Sequence, residues 1–544
     1  MQVATIKELL EQSVASFSKR IAFQIKDGFD YRKLTYTDVD RLIKKVQAQL
    51  TSLGVAKGDR VALISENRPE WPIAYLAVTS LGAIVVPLDA MLNKEDILPL
   101  INNAGVKAGI VSQKYIGYIT ATDIENQKIV MEDFGQLPEL GTTEQAEVYA
   151  SDVASIVYTS GTTGVPKGIV LTHKNIVSNV VSVASLFDFG PKDNFLSVLP
   201  LHHAFETTAG FLAPFSLGCK ITYAESLKSY AILNNMQKSS VTVMCGVPLL
   251  YQLFYDGIMR EVEEKKLGKL FSLLFFLSKF VKHVIGLNIG KVLFKIIHKK
   301  FGGKIRFFVS GGAALDPELA LNFDLMGFKI LQGYGMTESA PILTCNTLKH
   351  NKIGSVGRAI PEVKIKIAGT DPVGEILAFG PNIMKGYYKQ KELSSRILIN
   401  GWLYTGDVGY LDEEGYLFIT GRTKDVIVTA SGVNVYPDEI EFALNKLEAV
   451  KESCVFGDKV KEGIRRGTEE VIALIVPDTE YFEKIGRTGD ESIRNEIDKE
   501  VKELNKRMAD FKRIAGFIVR KEELPKTRLK KIKRFELKKE LGVK

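Results

Sequence analysis

The run Tyr158-Thr159-Ser160-Gly161-Thr162-Thr163-Gly164-Val165-Pro166-Lys167-Gly168 gathers hydroxyls, glycines and a lysine into eleven residues. Those types suit phosphate. Glycine lets successive backbone N–H groups turn toward an anion, Ser and Thr hydroxyls add donors, and Lys167 supplies a point charge. No G-x-x-x-x-G-K-[ST] spacing can be laid over the run, so it is not a Walker A loop. Composition alone leaves an ordinary Ser/Thr/Gly surface hairpin equally open. Ser310-Gly311-Gly312-Ala313 and Gly333-Tyr334-Gly335-Met336-Thr337-Glu338-Ser339 each follow a strand-like segment, the form of a ligand crevice at the ends of parallel strands. Further on, Asp407 closes Gly401-Trp402-Leu403-Tyr404-Thr405-Gly406-Asp407, and a carboxylate can accept two hydroxyls at once.

The elements that must position these residues follow from periodicity. Ala154 to Val157 and Ile169 to Leu171 are short apolar runs that predict strands on either side of the glycine-rich loop. Thr37 and Asp40 have capping-box spacing, and Val39, Leu42, Ile43, Val46, Leu50 and Leu53 recur at helical intervals. Arg60 to Ser65 reads as a buried strand, the segment after Pro69 as a packed helix, and Ala83 to Leu88 as the next strand. This βαβ patterning predicts a largely parallel sheet. Ile176, Val177, Val180, Val181 and Leu186 form another helical face, and Ile305 to Val309 and Lys329 to Gln332 lead into the two glycine turns. The C-terminal part reads as a helix from Pro437 through Leu447, a strand at Val471 to Val476 and a charged helix from Glu491 to Met508.

A chain of 544 residues, 45% hydrophobic, exceeds one core and predicts at least two domains. Cys219, Cys245, Cys345 and Cys454 are far apart with no C-x-x-C pair, which argues against a disulfide framework or zinc site and for a reducing compartment. The N-terminus has no basic region followed by an apolar core, and no run approaches ~18 uninterrupted apolar residues, so neither a secretion signal nor a spanning helix is expected. Of the net charge of +8, residues 265–300 carry nine lysines and no acid, and residues 512–544 are also net basic. No aromatic-interleaved basic motif points to nucleic acid. The intensely apolar run Leu270 to Leu277 and the lysines after it suit either an anionic lipid interface or a helical pair packed on the protein body, with lysines facing water.

Taken in order, the motifs resemble those of the acyl-adenylate-forming ligases, most closely the bacterial long-chain fatty acyl-CoA synthetases. The resemblance covers nearly the whole chain. It implies that Thr159, Ser160, Gly161, Thr162, Thr163, Gly164 and Lys167 hold phosphate; that Gly311, Gly312 and Ala313 contact adenine; and that Gly333, Tyr334 and Gly335 bring an aromatic ring onto the base. It places Thr337 on the α-phosphate, and Glu338 with Thr159 on magnesium, where a carboxylate is the hard ligand the metal favours. Leu199-Pro200-Leu201-His202-His203-Ala204-Phe205-Glu206 resembles the family's acyl-site motif, with His203 near the substrate carboxylate and His202 as packing. A tryptophan gate of some long-chain members is replaced near Thr207. Asp407 takes the ribose hydroxyls, Arg422 contacts the nucleotide, Lys424 is the hinge and Gly432 matches the thiol-channel glycine. The tail Pro525-Lys526-Thr527-Arg528-Leu529-Lys530-Lys531-Ile532-Lys533-Arg534 aligns the catalytic lysine with Lys531, and Lys530 stands where the family has glycine.

The expectation is therefore an α/β protein. Residues 1–422 form a large N-terminal region of parallel-rich sheets with flanking helices, and residues 423–544 a small mobile α+β domain. The implied reaction uses ATP, Mg2+ and CoA to turn a long-chain fatty acid into acyl-AMP and then acyl-CoA. Transfer to acyl carrier protein is the alternative acceptor, and a nucleotide-binding regulator without turnover the alternative class. The expected place of work is the cytoplasm, with peripheral contact to the inner membrane face.

Overall fold

Strands rich in Val, Ile and Ala sort into two large sheets. In the first, Arg60–Ile64 lies between Ile84–Pro87 and Ala108–Val111, all parallel. Lys128–Val130 and Val153–Thr159 extend it in parallel at either side. Lys167–Thr172 then turns back antiparallel to Val153–Thr159, and Gly386–Tyr387 closes that edge from far along the chain. In the second sheet, of nine strands, Ile330–Gly335, Phe307–Ser310, Val243–Gly246, Asn194–Ser197, Lys220–Tyr223 and Ile21–Asp27 are neighbours in that order and run parallel. Antiparallel strands cap both edges. The computed structural model describes residues 3–120, 122, 124–138, 146–159, 167–428, 434–459, 469–526 and 532–542.

The two sheets share one apolar core. Glu70–Ser80, the helix expected after Pro69, is buried at all eleven positions, and its Trp71 and Tyr75 rings stack 5.4 Å apart. A helix apolar all round must be covered all round; here one continuous cluster takes in Val61 and Val85 of the first sheet and Phe23, Ile221 and Phe307 of the second.

One boundary moves from its expected place. The sequence Thr35-Tyr36-Thr37-Asp38-Val39-Asp40 offers capping-box spacing twice, and the helix Tyr36–Ser52 uses the first, Thr35 with Asp38, rather than Thr37 with Asp40. The reason is upstream: strand Asp30–Thr35 holds Thr35 extended, so the helix starts as the strand stops. Thr37 lies inside the helix, its hydroxyl donating to Ser18 O at 3.0 Å.

The chain divides into two compact units, Met1–Ile365 with Ala378–Leu403, and Lys366–Leu377 with Tyr404–Lys544. The second is α+β. Val450–Lys459, Glu469–Pro477 and Gly516–Val519 form a three-stranded sheet, and helices Pro437–Leu444 and Asp490–Arg507 bury Ile440, Leu444, Ile497 and Val501 in its core. The expected α/β class with a smaller α+β C-terminal part is the architecture observed.

Candidate active site

The phosphate-type loop sits on a hairpin. Thr159 pairs with Lys167 as the last rung between Val153–Thr159 and Lys167–Thr172. Ser160, Gly161, Thr162, Thr163 and Gly164 lie outside the described residues, as do Gly432 and Lys531. From the rung, contacts lead to the second glycine motif. Lys167 Nζ stands 5.4 Å above the Tyr387 ring, and the Tyr387 hydroxyl donates to Glu338 Oε1 at 2.8 Å. Burial, with the Glu338 charge beside it, pushes the Tyr387 pKa far above its ordinary value, so the hydroxyl remains a donor at every working pH.

Gly311 and Gly312 follow the strand end Ser310, and Gly312 has φ +81°, a left-handed conformation that favours glycine. A side chain on Gly311 would meet the Phe205 ring at 3.1 Å, so the acyl-type motif and the first glycine turn touch. Gly335 has a sharper constraint: a Cβ there would lie 1.8 Å from the Pro341 carbonyl oxygen. Thr337 and Glu338 occupy the short 3-10 turn Thr337–Ser339 that follows strand Ile330–Gly335. Two asparagines hold this turn from outside. Asn382 Nδ2 donates to Ser339 O (2.8 Å) and Ile342 O (3.1 Å), and Asn179 Nδ2 donates to Ile342 O at 2.7 Å. Asn179 lies on helix His173–Leu186, which starts at the C-terminal end of the phosphate hairpin. Tyr387, Asn179 and Asn382 stand far from the motifs in sequence, and only tertiary structure reveals them.

His203 is in the turn after Pro200, its N–H donating to Pro200 O at 3.1 Å. The His202 and His203 rings lie 4.1 Å apart, and His202 Nε2 is 3.7 Å from Asp89 Oδ2, an acidic neighbour that a packing role did not anticipate. Thr207 ties its hydroxyl to Leu201 O at 2.7 Å. Beside it, Glu206 is fully buried in the π-helical turn Glu206–Leu212, and neither carboxylate oxygen has a hydrogen-bond partner among the described residues. Burial raises its pKa to about 8, with the Ser197 side chain opposing.

Within the second unit, Asp407 and Arg422 face each other across the ladder of Trp402–Leu411 and Leu417–Arg422, with Arg422 Nε 3.1 Å from Asp407 Oδ1. The ion pair joins two residues expected separately to hold the ribose and the nucleotide. Lys424 is exposed in the turn that follows. Lys533 N–H donates to Pro525 O at 2.8 Å and Lys526 bridges to Ile532.

Among the described residues no group of three or more His, Cys, Asp or Glu could hold a metal. A carboxylate such as that of Glu338 is a ligand type that suits magnesium, which takes a carboxylate or two and otherwise phosphate and water.

Glycine turns at the ends of parallel strands, a hydroxyl-rich hairpin and a smaller α+β unit define a nucleotide-dependent ligase architecture. The chain belongs to the AMP-binding enzyme family: the family model matches residues 10–388, and the model of the AMP-binding enzyme C-terminal domain matches residues 439–531. It is an adenylate-forming CoA ligase. It is 28% identical to the long-chain-fatty-acid–CoA ligase of Bacillus subtilis, over 98% of this chain and 94% of that one. It is 29% identical to the 2-succinylbenzoate–CoA ligase of Listeria innocua, over 94% and 95%. Among solved structures, the o-succinylbenzoate CoA synthetase of Bacillus subtilis in complex with its acyl-adenylate intermediate superposes with a TM-score of 0.76 at 26% identity, covering 97% of each chain.

Proposed function

We propose that this ligase activates a long-chain fatty acid. The acid's carboxylate attacks the α-phosphorus of ATP, giving acyl-AMP and pyrophosphate; the CoA thiolate then attacks the acyl carbon and expels AMP. No protein nucleophile is needed, and positioning with charge neutralisation supplies the catalysis. The observation that carries the reading is the run from the Thr159–Lys167 rung through Tyr387 to Glu338, which links the carboxylate to the strand ends that flank the phosphate-type motif. Magnesium held by Glu338 and Thr159 would neutralise the departing pyrophosphate.

In this reading Thr337 contacts the α-phosphate, Tyr334 stacks on adenine beside Gly311, Gly312, Ala313, Gly333 and Gly335, and Asp407 with Arg422 holds the ribose. His203 borders the acid's carboxylate. Lys531 serves adenylation, and rotation about Lys424 replaces it with a thiol channel at Gly432. We take residues 423–544 as the moving part.

Support for a long-chain acid comes from the likeness to the Bacillus subtilis long-chain ligase and from the phenylalanine-rich cluster of Phe254, Phe301, Phe308, Phe323 and Phe328, shared between strand Phe307–Ser310 of the second sheet and the segments packed on it. The succinylbenzoate ligases among the relatives make a shorter aromatic acid the second reading. Acid-dependent ATP/pyrophosphate exchange across fatty acids of increasing length and succinylbenzoate, followed by thioester formation with CoA or acyl carrier protein, tests both substrate and acceptor. Exchange with succinylbenzoate alone would overturn the long-chain reading. We place the protein in the cytoplasm, working at the inner membrane face. Among the described residues no helix is long and apolar enough to cross a membrane.

A further inference from the structure

Helix Gly268–Ile285 is apolar on two opposite faces. Inward, Phe271, Leu274 and Phe275 pack on the core cluster, and the buried Ser278 hydroxyl donates to Leu325 O at 2.6 Å. Outward, Leu270, Leu273, Phe276, Leu277, Phe280 and Val284 are 38–63% exposed. At 3.6 residues per turn these six fall on a stripe roughly 120° wide. Phe276 and Phe280 stack on each other with centroids 6.2 Å apart, so part of the stripe is preformed. The next segment adds Val292 and Ile296, each 77% exposed. Scattered surface apolar residues need no explanation, but a continuous stripe on one helix marks an interaction surface.

The charge around the stripe selects the partner. Residues 265–300 contain no acid. Of the nine lysines, Lys265 and Lys300 pair with Glu261 and Lys282 with Asp324. The other six, Lys266, Lys269, Lys279, Lys291, Lys295 and Lys299, are exposed and in no ion pair among the described residues. A second copy docked on this face would oppose lysine to lysine. An anionic bilayer offers both missing complements: acyl chains for the stripe, and phosphate headgroups for ammonium groups that reach them on flexible stems.

We infer that the outer face of Gly268–Ile285, with the basic segment after it, is an interfacial helix that seats the protein on an anionic lipid bilayer. The inference rests on the reading of the protein as a ligase working at the inner membrane face, and names the surface that meets it. The helix lies along the interface, its apolar stripe reaching the acyl boundary. Each lysine near the surface strengthens partitioning roughly fivefold, an effect that salt screens.

The test is flotation of the full-length protein with phosphatidylcholine vesicles, with and without phosphatidylglycerol, across a salt series. Wild type should partition at least a hundredfold better onto the anionic vesicles and lose that advantage as salt rises. F276S/F280S should bind poorly at every salt concentration. K269Q/K279Q/K291Q should fall by roughly a hundredfold, consistent with three lysines, and lose about half of the salt dependence. Equal binding to neutral vesicles overturns the inference, as does wild-type binding by both variants. So does a wild-type dimer in light scattering that F276S/F280S dissociates, because the stripe then belongs to a protein interface. Acid-dependent exchange with detergent-dispersed acid is run on the same samples. Vesicle binding without exchange in wild type leaves the surface assignment standing and removes the long-chain substrate reading; exchange without vesicle binding does the reverse.

Discussion

Replacing Tyr387 by phenylalanine removes one hydroxyl and keeps the ring. The lost contact is the 2.8 Å donation to Glu338 Oε1, made by a side chain only 9% exposed. A hydrogen bond to a charged group is worth about 1.5–3 kcal/mol. If Glu338 must be held at that angle to serve the phosphate site, the loss appears in the barrier as a roughly ten- to hundredfold slower adenylation. The Lys167 ammonium keeps its seat over the ring in Y387F and loses it in Y387A, a further ~0.5–1 kcal/mol. The assay is ATP/pyrophosphate exchange at saturating acid over a magnesium titration, with melting temperature as the control for folding. Y387F should exchange slowly at every magnesium concentration, and Y387A more slowly still. Wild-type exchange by a folded Y387F would refute the argument that this hydroxyl orients Glu338. Equal losses in the two variants would show that the ring plays no separate part.

Other substitutions probe different parts of the molecule. Glu206 holds a proton in the folded chain up to about pH 8, against an ordinary value of 4.5, so stability should fall as pH rises through that window, at up to ~1.4 kcal/mol per pH unit. E206Q should therefore match wild type near pH 4.5 and melt progressively higher than it toward pH 8; parallel melting curves would sink the assignment. G335A sets a methyl against the Pro341 carbonyl oxygen and should cost at least ~1–3 kcal/mol with loss of exchange, read by denaturant unfolding; an unshifted midpoint would count against the close approach. K531A should slow exchange by about two to three orders of magnitude yet make acyl-CoA from supplied acyl-AMP at a near-normal rate, whereas a bulky residue at Gly432 should do the opposite. Equal losses of both half-reactions in K531A would argue against domain alternation.

The parts of the site that sequence makes legible are those whose chemistry is local. A left-handed Gly312 or a crowded Gly335 restricts residue type at its own position, so such constraints show as glycines in a motif. Asp407 and Arg422 are each visible in their own strings, but their pairing needs the ladder register. Tyr387, Asn179 and Asn382 carry no signal, because a tyrosine or asparagine can suit almost any half-buried position until the fold supplies a partner. Helix positions are legible from apolar spacing, and ends less so: Thr35 and Thr37 offer the same cap chemistry, and only the preceding strand decides between them. Glu206 reads as one letter of a motif, and its complete burial is a property of the helices and strands around it.

The edge strand Gly386–Tyr387 pairs with Lys167–Thr172, more than two hundred residues before it in the chain. On a ribosome adding about 5–20 residues per second, the phosphate hairpin is exposed for roughly 10–40 s before its cover is made. Throughout that interval it presents an open row of N–H and C=O groups to other nascent chains. The same strand delivers Tyr387 to Glu338, so the edge is sealed and Glu338 gains its hydroxyl partner in one event. Slowed translation between codons 172 and 386 should raise the yield of aggregates without changing the activity of molecules that escape them, and a chaperone that shields sheet edges should restore the balance.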